Sequence, residues 1–387
     1  MSNRSVVTVD RAHGKDFAPV DWRIPGLTVE FAWRVLRGAF AQASGHGAGP
    51  SAKLLRNGLL VTDPDRWPHI TASPTGLEEW VAAMGPDPYL AWARSVQTVD
   101  RALFEVLVEA MATEFRRRGL PSGSVEAELF LGDYPHTPGG IHREACSNIH
   151  LVLWGTKSMY FWNPSQWPPP EVPRRVEVAV GNDTHEEYLP EIDEHAVLAA
   201  ADSLKAEAGA GFSWQAGTWH VGQAHGPALA LNIAAYHRGF DTEPSMRDWS
   251  EETSGAVSLD WLDRYSAHVG GNDSPAVLLA RVSALGMRPA PPTRRPQRGP
   301  RGRWRLGVPL LWTTTTGYDL LVATLGAVRR QERTPVALGW LGERHDVGTV
   351  SEVPDELEGL AAWLHEQGSF EIISDDPSIT HTPEAAL

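Results

Sequence analysis

His142 and Glu144 stand one residue apart in Gly139-Gly140-Ile141-His142-Arg143-Glu144, and a third candidate ligand, His220, follows far downstream in Ala216-Gly217-Thr218-Trp219-His220. Two histidines and one carboxylate in the order His-x-Glu…His can occupy one face of an octahedral Fe(II) and leave the opposite face open. An open face lets a co-substrate and dioxygen bind side by side. His225 competes for the third position, although Gly226 and Pro227 beside it point to a loop, and His220 is favoured. His136, in the turn-rich stretch before His142, could also approach.

Alternate residues of a strand share a face. An unbroken strand from 142 to 150 would therefore aim His142, Glu144, Cys146, Asn148 and His150 into one space. Such a polar column is costly in an interior unless something binds it; on a solvated outer face its histidines would be incidental. If the column points inward, Ile141, Ile149 and Leu151 face outward and pack on another layer, expected to be the N-terminal helices. Lys157 comes fifteen residues after His142, just past Trp154-Gly155-Thr156, which has the size of a hairpin turn. An ammonium group directed into a barrel needs an anion, whereas a lysine at an exposed hairpin end needs none. The dianion 2-oxoglutarate would satisfy it, chelating iron through its 1-carboxylate and keto oxygen and pairing its far carboxylate with Lys157.

The elements that must position these residues change character along the chain. Apolar residues at three- and four-residue spacing predict helices over Val29 to Ala43 and Val99 to Arg118, the second stopped by Gly119 and Pro121, with a shorter helix over Pro74 to Met84. The first 120 residues thus read as mostly helical with loop insertions. From about Ser124 the period shortens: strands are predicted at Ala127 to Gly132, Ile141 to Leu153, Lys157 to Trp162, Gly211 to Trp214 and Ala228 to His237, with an irregular proline-rich stretch from Asn163 to Pro173. Short strands with tight turns suggest a jelly roll or cupin barrel. Helices return at Ser258 to His268 and Ser274 to Leu285. Arg288 to Arg305 has a linker's composition, and the remainder mixes β runs (Leu310 to Trp312, Leu320 to Thr324, Val336 to Trp340) with a helix after Pro354-Asp355 that ends at Gly368.

Composition narrows the function classes. The 387 residues can hold two or three domains, and 42% apolar content suffices for a substantial core. A net charge of -14 argues against a nucleic-acid partner or a membrane surface, since phosphate binding wants a basic field. The one basic run, Arg294 to Arg303, reads as a solvated linker. No signal peptide follows Met1, no run approaches the roughly 18 apolar residues of a membrane span, and Cys146 is the single cysteine. A cytoplasmic protein without disulfides is expected. The 16 Trp and 30 Pro favour a loop-rich β architecture over a helical bundle.

Taken together, Gly140-Ile141-His142-Arg143-Glu144, Asn148, Trp154-Gly155-Thr156-Lys157, Gly217-Thr218-Trp219-His220 and Leu231-Asn232-Ile233 resemble the JmjC-type, cupin-fold Fe(II)/2-oxoglutarate hydroxylases. The resemblance covers about Leu129 to Tyr236. It implies His142, Glu144 and His220 as iron ligands, Lys157 as anchor of the far carboxylate, and Asn148 and Asn232 as secondary contacts to 2-oxoglutarate or the iron shell. Two departures stand out: the acid is Glu rather than the commoner Asp, and Gly139 occupies a position where a hydroxyl often assists the lysine. Tyr134 or Thr137 could supply that hydroxyl. The carboxylate at 144 argues against a halogenase.

The fold implied is mainly β with α: a double-stranded β-helix core with N-terminal helices, a helical segment and a small C-terminal winged-helix-like module. The layout is similar to that of ribosomal-protein hydroxylases, which divides the chain into an oxygenase domain (1–250), a helical segment that could serve homodimerisation (251–290), a Pro/Arg-rich linker (291–303) and the winged-helix-like module (304–387). The activity implied is hydroxylation of an unactivated C–H bond, with O2 and 2-oxoglutarate as co-substrates, on an amino-acid side chain of a peptide or protein or on an amino-acid-derived small molecule. Two alternatives remain: a metal cupin enzyme that needs no 2-oxoglutarate, and a non-catalytic binding or regulatory protein with a degenerate metal site.

Overall fold

The protein is described here by a computed structural model covering residues 16–43, 51–62, 76–162, 175–179, 184–189, 197–199, 201–237, 255–271, 273–292, 303–306, 310–315, 319–342 and 350–373. The chain falls into two compact units, one of residues 1–246 with 286–290, the other of 247–285 with 291–387.

In the first unit, in chain order, the elements are β1 (Phe17–Asp21), α1 (Val29–Ala43), β2 (Ala52–Arg56), β3 (Leu59–Leu60), α2 (Leu77–Met84), β4 (Tyr89–Ala93), α3 (Arg101–Arg118), β5 (Val125–Asp133), β6 (His142–Glu144), β7 (Cys146–Trp154), β8 (Thr156–Trp162), β9 (Arg175–Ala179), β10 (Thr184–Tyr188), β11 (Asp202–Glu207), β12 (Ala210–Trp214), β13 (Trp219–Ala224) and β14 (Ala228–Tyr236). The strands form two antiparallel sheets. One has the order β1-β12-β7-β14-β5-β4-β2-β3 and the other β11-β8-β13-β6-β10-β9. From β5 to β8, and again from β11 to β14, the chain crosses between the sheets at nearly every strand. Four consecutive strands of each sheet, β12-β7-β14-β5 and β11-β8-β13-β6, have the alternation of a double-stranded β-helix. Val152, Phe212 and Trp214 of the first sheet pack directly on Met159, Phe161 and Ala206 of the second, so the two sheets share an interior.

Helix α1 follows its predicted bounds and buries Trp33, Val35, Leu36 and Phe40. Helix α3 starts at the Asp100 cap, whose carboxylate accepts from the Leu103 amide at 3.1 Å, and ends at Gly119. Of the predicted helix over 74–84, the part from Leu77 is present and residues 74–75 lie outside the described residues.

In the first unit the fold departs from four expectations of the sequence. Within the first 120 residues, segments expected as loops between the helices are strands: β1, β2, β3 and β4 extend the eight-stranded sheet at both sides, with β1 paired to β12 and β4 to β5. Five-residue apolar runs such as Tyr89-Leu90-Ala91-Trp92-Ala93 carry no helical or alternating period, so only their partners define them. The strand from 142 to 150 is broken at Ala145, with β6 in one sheet and β7 in the other. Trp154-Gly155-Thr156 is not a hairpin, because β7 and β8 belong to different sheets and Gly155 carries the chain between them. Gly155 has φ +77°, and a Cβ there would meet the Pro227 carbonyl oxygen at 2.3 Å, so the crossover requires glycine. Ile141 packs with Trp162, Leu189, Trp219 and Val221 on the outside of the six-stranded sheet rather than on the N-terminal helices. Strands β9, β10 and β11 had no recognised pattern, and residues 163–173 lie outside the described residues.

The second unit contains α4 (Leu259–Val269), α5 (Pro275–Ser283), β15 (Arg303–Leu306), β16 (Leu311–Thr314), β17 (Asp319–Thr324), β18 (Ala327–Glu332), α6 (Pro335–Gly342), β19 (Val350–Glu352), α7 (Glu358–Glu366) and β20 (Phe370–Ile373). Two three-stranded sheets, β19-β15-β20 and β16-β17-β18, share it with the helices. Its core gathers Leu320, Val322, Trp340, Leu341, Leu360, Leu364 and Phe370. Val336 to Trp340, predicted as a strand, lies in α6. The Thr334 hydroxyl accepts from the Ala337 amide at 3.1 Å and Pro335 opens the helix, two start signals that outweigh a short apolar run. Most of the basic run 294–303 lies outside the described residues. Among the described residues no helix is long and apolar enough to cross a membrane.

Candidate metal centre and adjoining cavity

Strand alternation decides which side chains reach the interior. On β6, His142 and Glu144 point in, while Arg143 points out to pair with Glu187 at 2.8 Å and to lie over the Trp219 ring. On β13, His220 and Gly222 point in. Trp219 and Val221 pack outside with Trp162. His142 and His220 are direct partners in the β6–β13 ladder, with ring centroids 4.4 Å apart. The ligand atoms of His142, Glu144 and His220 all lie within 4.8 Å of one another. Both histidines use Nδ1 on a backbone carbonyl two residues back, His142 on Gly140 at 3.0 Å and His220 on Thr218 at 2.9 Å. Donating from Nδ1 leaves each Nε2 with a free lone pair, the tautomer a divalent metal needs. Burial, and then the neighbouring His142, pushes the His220 pKa well down, which keeps that lone pair available. Glu144 accepts from the Cys146 thiol at 3.4 Å, and its backbone carbonyl accepts from the Gly217 amide at 2.8 Å, which ties the turn before β13 to β6.

Behind the triad runs a polar chain across the sheet. The Asn148 amide donates to the Cys146 sulfur at 3.2 Å, and the Asn232 amide donates to Asn148 Oδ1 at 2.8 Å and to Glu128 Oε2 at 3.1 Å. Glu128 Oε1 is paired with Arg94 at 3.1 Å, and Arg94 also contacts Glu126 at 3.1 Å and donates to the Tyr236 hydroxyl at 2.6 Å. Burial raises the Glu128 pKa to about 7 against the pull of Arg94. Asn232 lines the cavity in front of the triad, and Asn148 does not.

That cavity has a volume of about 270 Å³. His142, Glu144, His220, Lys157, His150 and Trp214 line it from the barrel, and β2, β4 and β10 add Lys53, Trp92, Arg94, Glu186 and Tyr188. Lys157 is 2% exposed; its Nζ lies 3.0 Å from His150 Nε2 and about equally far from the Phe130 and Tyr134 ring centres, at 5.3 and 5.4 Å. No carboxylate of the described residues pairs with it. Burial brings its pKa down to about 7.

The remaining sequence candidates sort as follows. Tyr134 and Thr137 both line the cavity; the Thr137 hydroxyl is already bonded to the backbone of Gly222, donating to its carbonyl and accepting from its amide at 3.1 Å. His225 is held by the Ser158 hydroxyl at 2.7 Å and stays apart from the triad, as does His136. Elsewhere on β8, Met159 also lines the cavity, whereas Tyr160 donates to Gln223 at 2.7 Å and Trp162 packs outside. Arg94, Glu128, Trp214, Glu186 and Tyr188 had not been singled out from the sequence. They come from segments to which the sequence assigned no element, or from predicted strands whose facing it did not fix.

No family model and no curated protein matches the chain. Among solved structures, one of YcfD from Escherichia coli covers 95% of this chain and 100% of its own, with 11% identity and a TM-score of 0.46. The chain is similar in structure to YcfD. A second structure of it is described as a ribosomal oxygenase in complex with cobalt and succinic acid, and matches over 86% of this chain and 98% of that one, with 12% identity and a TM-score of 0.38. Hazelnut vicilin matches over 29% of this chain and 23% of its own, with 11% identity and a TM-score of 0.18. At these values the likenesses carry no argument about chemistry, and the site is read from its own side chains.

Proposed function

We propose that the protein is an Fe(II)- and 2-oxoglutarate-dependent dioxygenase that hydroxylates an unactivated C–H bond, on an amino-acid side chain of a peptide or protein. The observation that carries this reading is that one cavity holds both a His/Glu/His cluster with free Nε2 atoms and a buried lysine that no carboxylate pairs. The donor set, two neutral imidazoles and one carboxylate, suits a non-heme iron with an open face. Bound iron with 2-oxoglutarate and O2 would supply the oxidising power for C–H cleavage.

The chain's own contribution is positional. His142, Glu144 and His220 would hold the metal, with the Gly140 and Thr218 carbonyls fixing both ring orientations and the Cys146 thiol orienting Glu144. Lys157 would bind the far carboxylate of 2-oxoglutarate and so fix its length along the cavity. Met159, Trp214 and Phe130 would exclude water beside it. Asn232 offers a polar contact from the cavity wall, and Tyr134 the hydroxyl that Gly139 lacks; Asn148 and Thr137 act through these neighbours. The substrate side chain would enter past Lys53, Trp92, Glu186 and Tyr188. A cytoplasmic setting suits this reading, because it keeps Cys146 reduced. Homodimerisation through residues 251–290 and a winged-helix-like role for 304–387 belong to the same proposal, and light scattering on the full chain tests the first.

The deciding experiment is anaerobic addition of Fe(II) and then 2-oxoglutarate. A weak visible metal-to-ligand charge-transfer band is expected. A folded protein that binds Fe(II) but develops no band refutes the co-substrate assignment.

A further inference from the structure

The His150–Lys157 contact joins two buried basic groups with no carboxylate of the described residues paired to either. Both side chains are buried, at 4% and 2% exposure, and they reach toward each other from opposite sheets, His150 from β7 and Lys157 from β8. Their nitrogens are 3.0 Å apart. The surroundings are mostly aromatic: the Phe130, Trp214 and Phe212 rings lie 5.6, 6.1 and 6.3 Å from the His150 ring, Phe130 and Tyr134 flank the ammonium, and the Asn232 side chain is a polar neighbour of His150. An imidazole can accept one hydrogen bond from an ammonium group but offers no negative charge, so the pair leaves a buried cation uncompensated or forces it to give up its proton. A carboxylate resolves both difficulties. Its two oxygens have several lone-pair positions and can accept from two nitrogen donors as close as these.

We infer that His150 is a further anchor for the far carboxylate of the co-substrate, beside Lys157 and the Tyr134 hydroxyl, and that His150 and Lys157 clamp that group from the two sheets. This rests on the 2-oxoglutarate reading above. In the free site His150 Nε2 accepts from Lys157. With the dicarboxylate bound, Lys157 donates to one oxygen and His150, carrying its proton on Nε2, donates to the carboxylate as well. The clamp contacts only the far end of the ligand and leaves the metal triad untouched.

The test compares two 2-oxo acids on the full chain loaded anaerobically with Mn(II): 2-oxoglutarate, and 2-oxobutyrate, which has the same chelating end and no far carboxylate. Calorimetry on His150→Phe is expected to show 2-oxoglutarate affinity at least tenfold weaker, with Mn(II) and 2-oxobutyrate affinities unchanged, and His150→Gln is expected to restore most of the loss. His150→Phe binding 2-oxoglutarate like the wild type, or losing both oxo acids equally, overturns the clamp. Should His150→Phe not fold, ¹⁵N spectra of the histidine rings in the wild-type Zn(II) protein decide. 2-Oxoglutarate must convert His150 Nε2 from acceptor to N–H, and an unchanged resonance overturns the inference. A wild-type protein that binds Mn(II) but no 2-oxoglutarate overturns the proposed function as a whole. A defect confined to Lys157→Ala overturns His150's share alone.

Discussion

His142 and His220 are directly opposite each other in the β6–β13 ladder, so the two histidines, 78 positions apart in the chain, are held by one pair of neighbouring backbones. Each Nδ1 bonds a carbonyl two residues earlier on its own strand. The same local device, repeated on adjacent strands, sets both rings with Nε2 toward Glu144.

Removing any one of these three side chains should abolish tight metal binding. For His142→Ala, Glu144→Ala and His220→Ala, Co(II) affinity is expected to fall by about a hundredfold or more, since disturbing even an outer-shell partner of a metal ligand costs roughly 10–100-fold. Titration followed by the visible Co(II) spectrum checks this. Full-strength binding in His220→Ala with loss in His225→Ala would exchange their roles.

On the proposed function, Lys157 should make co-substrate affinity depend on pH. Burial lowers its pKa to about 7, below its unfolded value, so between these values the unfolded chain holds the extra proton. The burial penalty is therefore fully present below about pH 7 and is relieved as pH rises toward the unfolded value. A carboxylate needs the charged ammonium, so binding above pH 7 should take up a proton and weaken as pH increases. Calorimetry at pH 8 in two buffers of different ionisation enthalpy counts that proton. Lys157→Met should lose 2-oxoglutarate affinity by tenfold or more while melting no lower than the wild type, because it removes a buried cation.

Gly155→Ala should destabilise the first unit by about 2 kcal/mol or more, the cost of a left-handed non-glycine residue with a backbone clash added. Pro227 O at 2.3 Å from the added Cβ supplies the clash. Thermal unfolding is expected to shift down by several degrees, and an unchanged melting temperature would mean that the crossover relaxes freely.

Arg94→Met should cost more than replacing its pair as a whole. It strands Glu128, whose pKa is already raised to about 7 by burial. Breaking a fully buried ion pair from one side typically costs about 3–5 kcal/mol; with the Arg94 side chain 24% exposed the loss here should be smaller, and replacing both partners by apolar groups smaller still. Urea denaturation of Arg94→Met, Glu128→Met and the double variant measures the difference; strict additivity would show that the two groups act independently.

The local signals were the readable ones. Helix α1 and helix α3 could be bounded from apolar spacing and the glycine stop because those features act within a few residues. The His-x-Glu pair, Lys157 and His220 were legible for a similar reason: strand alternation and metal-ligand chemistry are properties of short segments. Val336 to Trp340 shows the limit, since five apolar residues fit a strand or a helix until Thr334 and Pro335 are weighed as start signals. Tyr89 to Ala93 shows it again, because nothing within the segment reveals that β5 lies alongside.

By itself the sequence determined the candidate ligand types, their order and the inward parity of His142 with Glu144. It could not determine that the chain changes sheet at Ala145 and again at Gly155, because such a break depends on which distant strands compete for the backbone hydrogen bonds. That choice put β7 and β8 on facing sheets and brought His150 within 3.0 Å of Lys157. A hairpin at Trp154-Gly155-Thr156 would have laid His150 and Lys157 along one sheet. Only the tertiary fold, by closing two sheets over a shared interior, turned them into a pair that meets across a cavity.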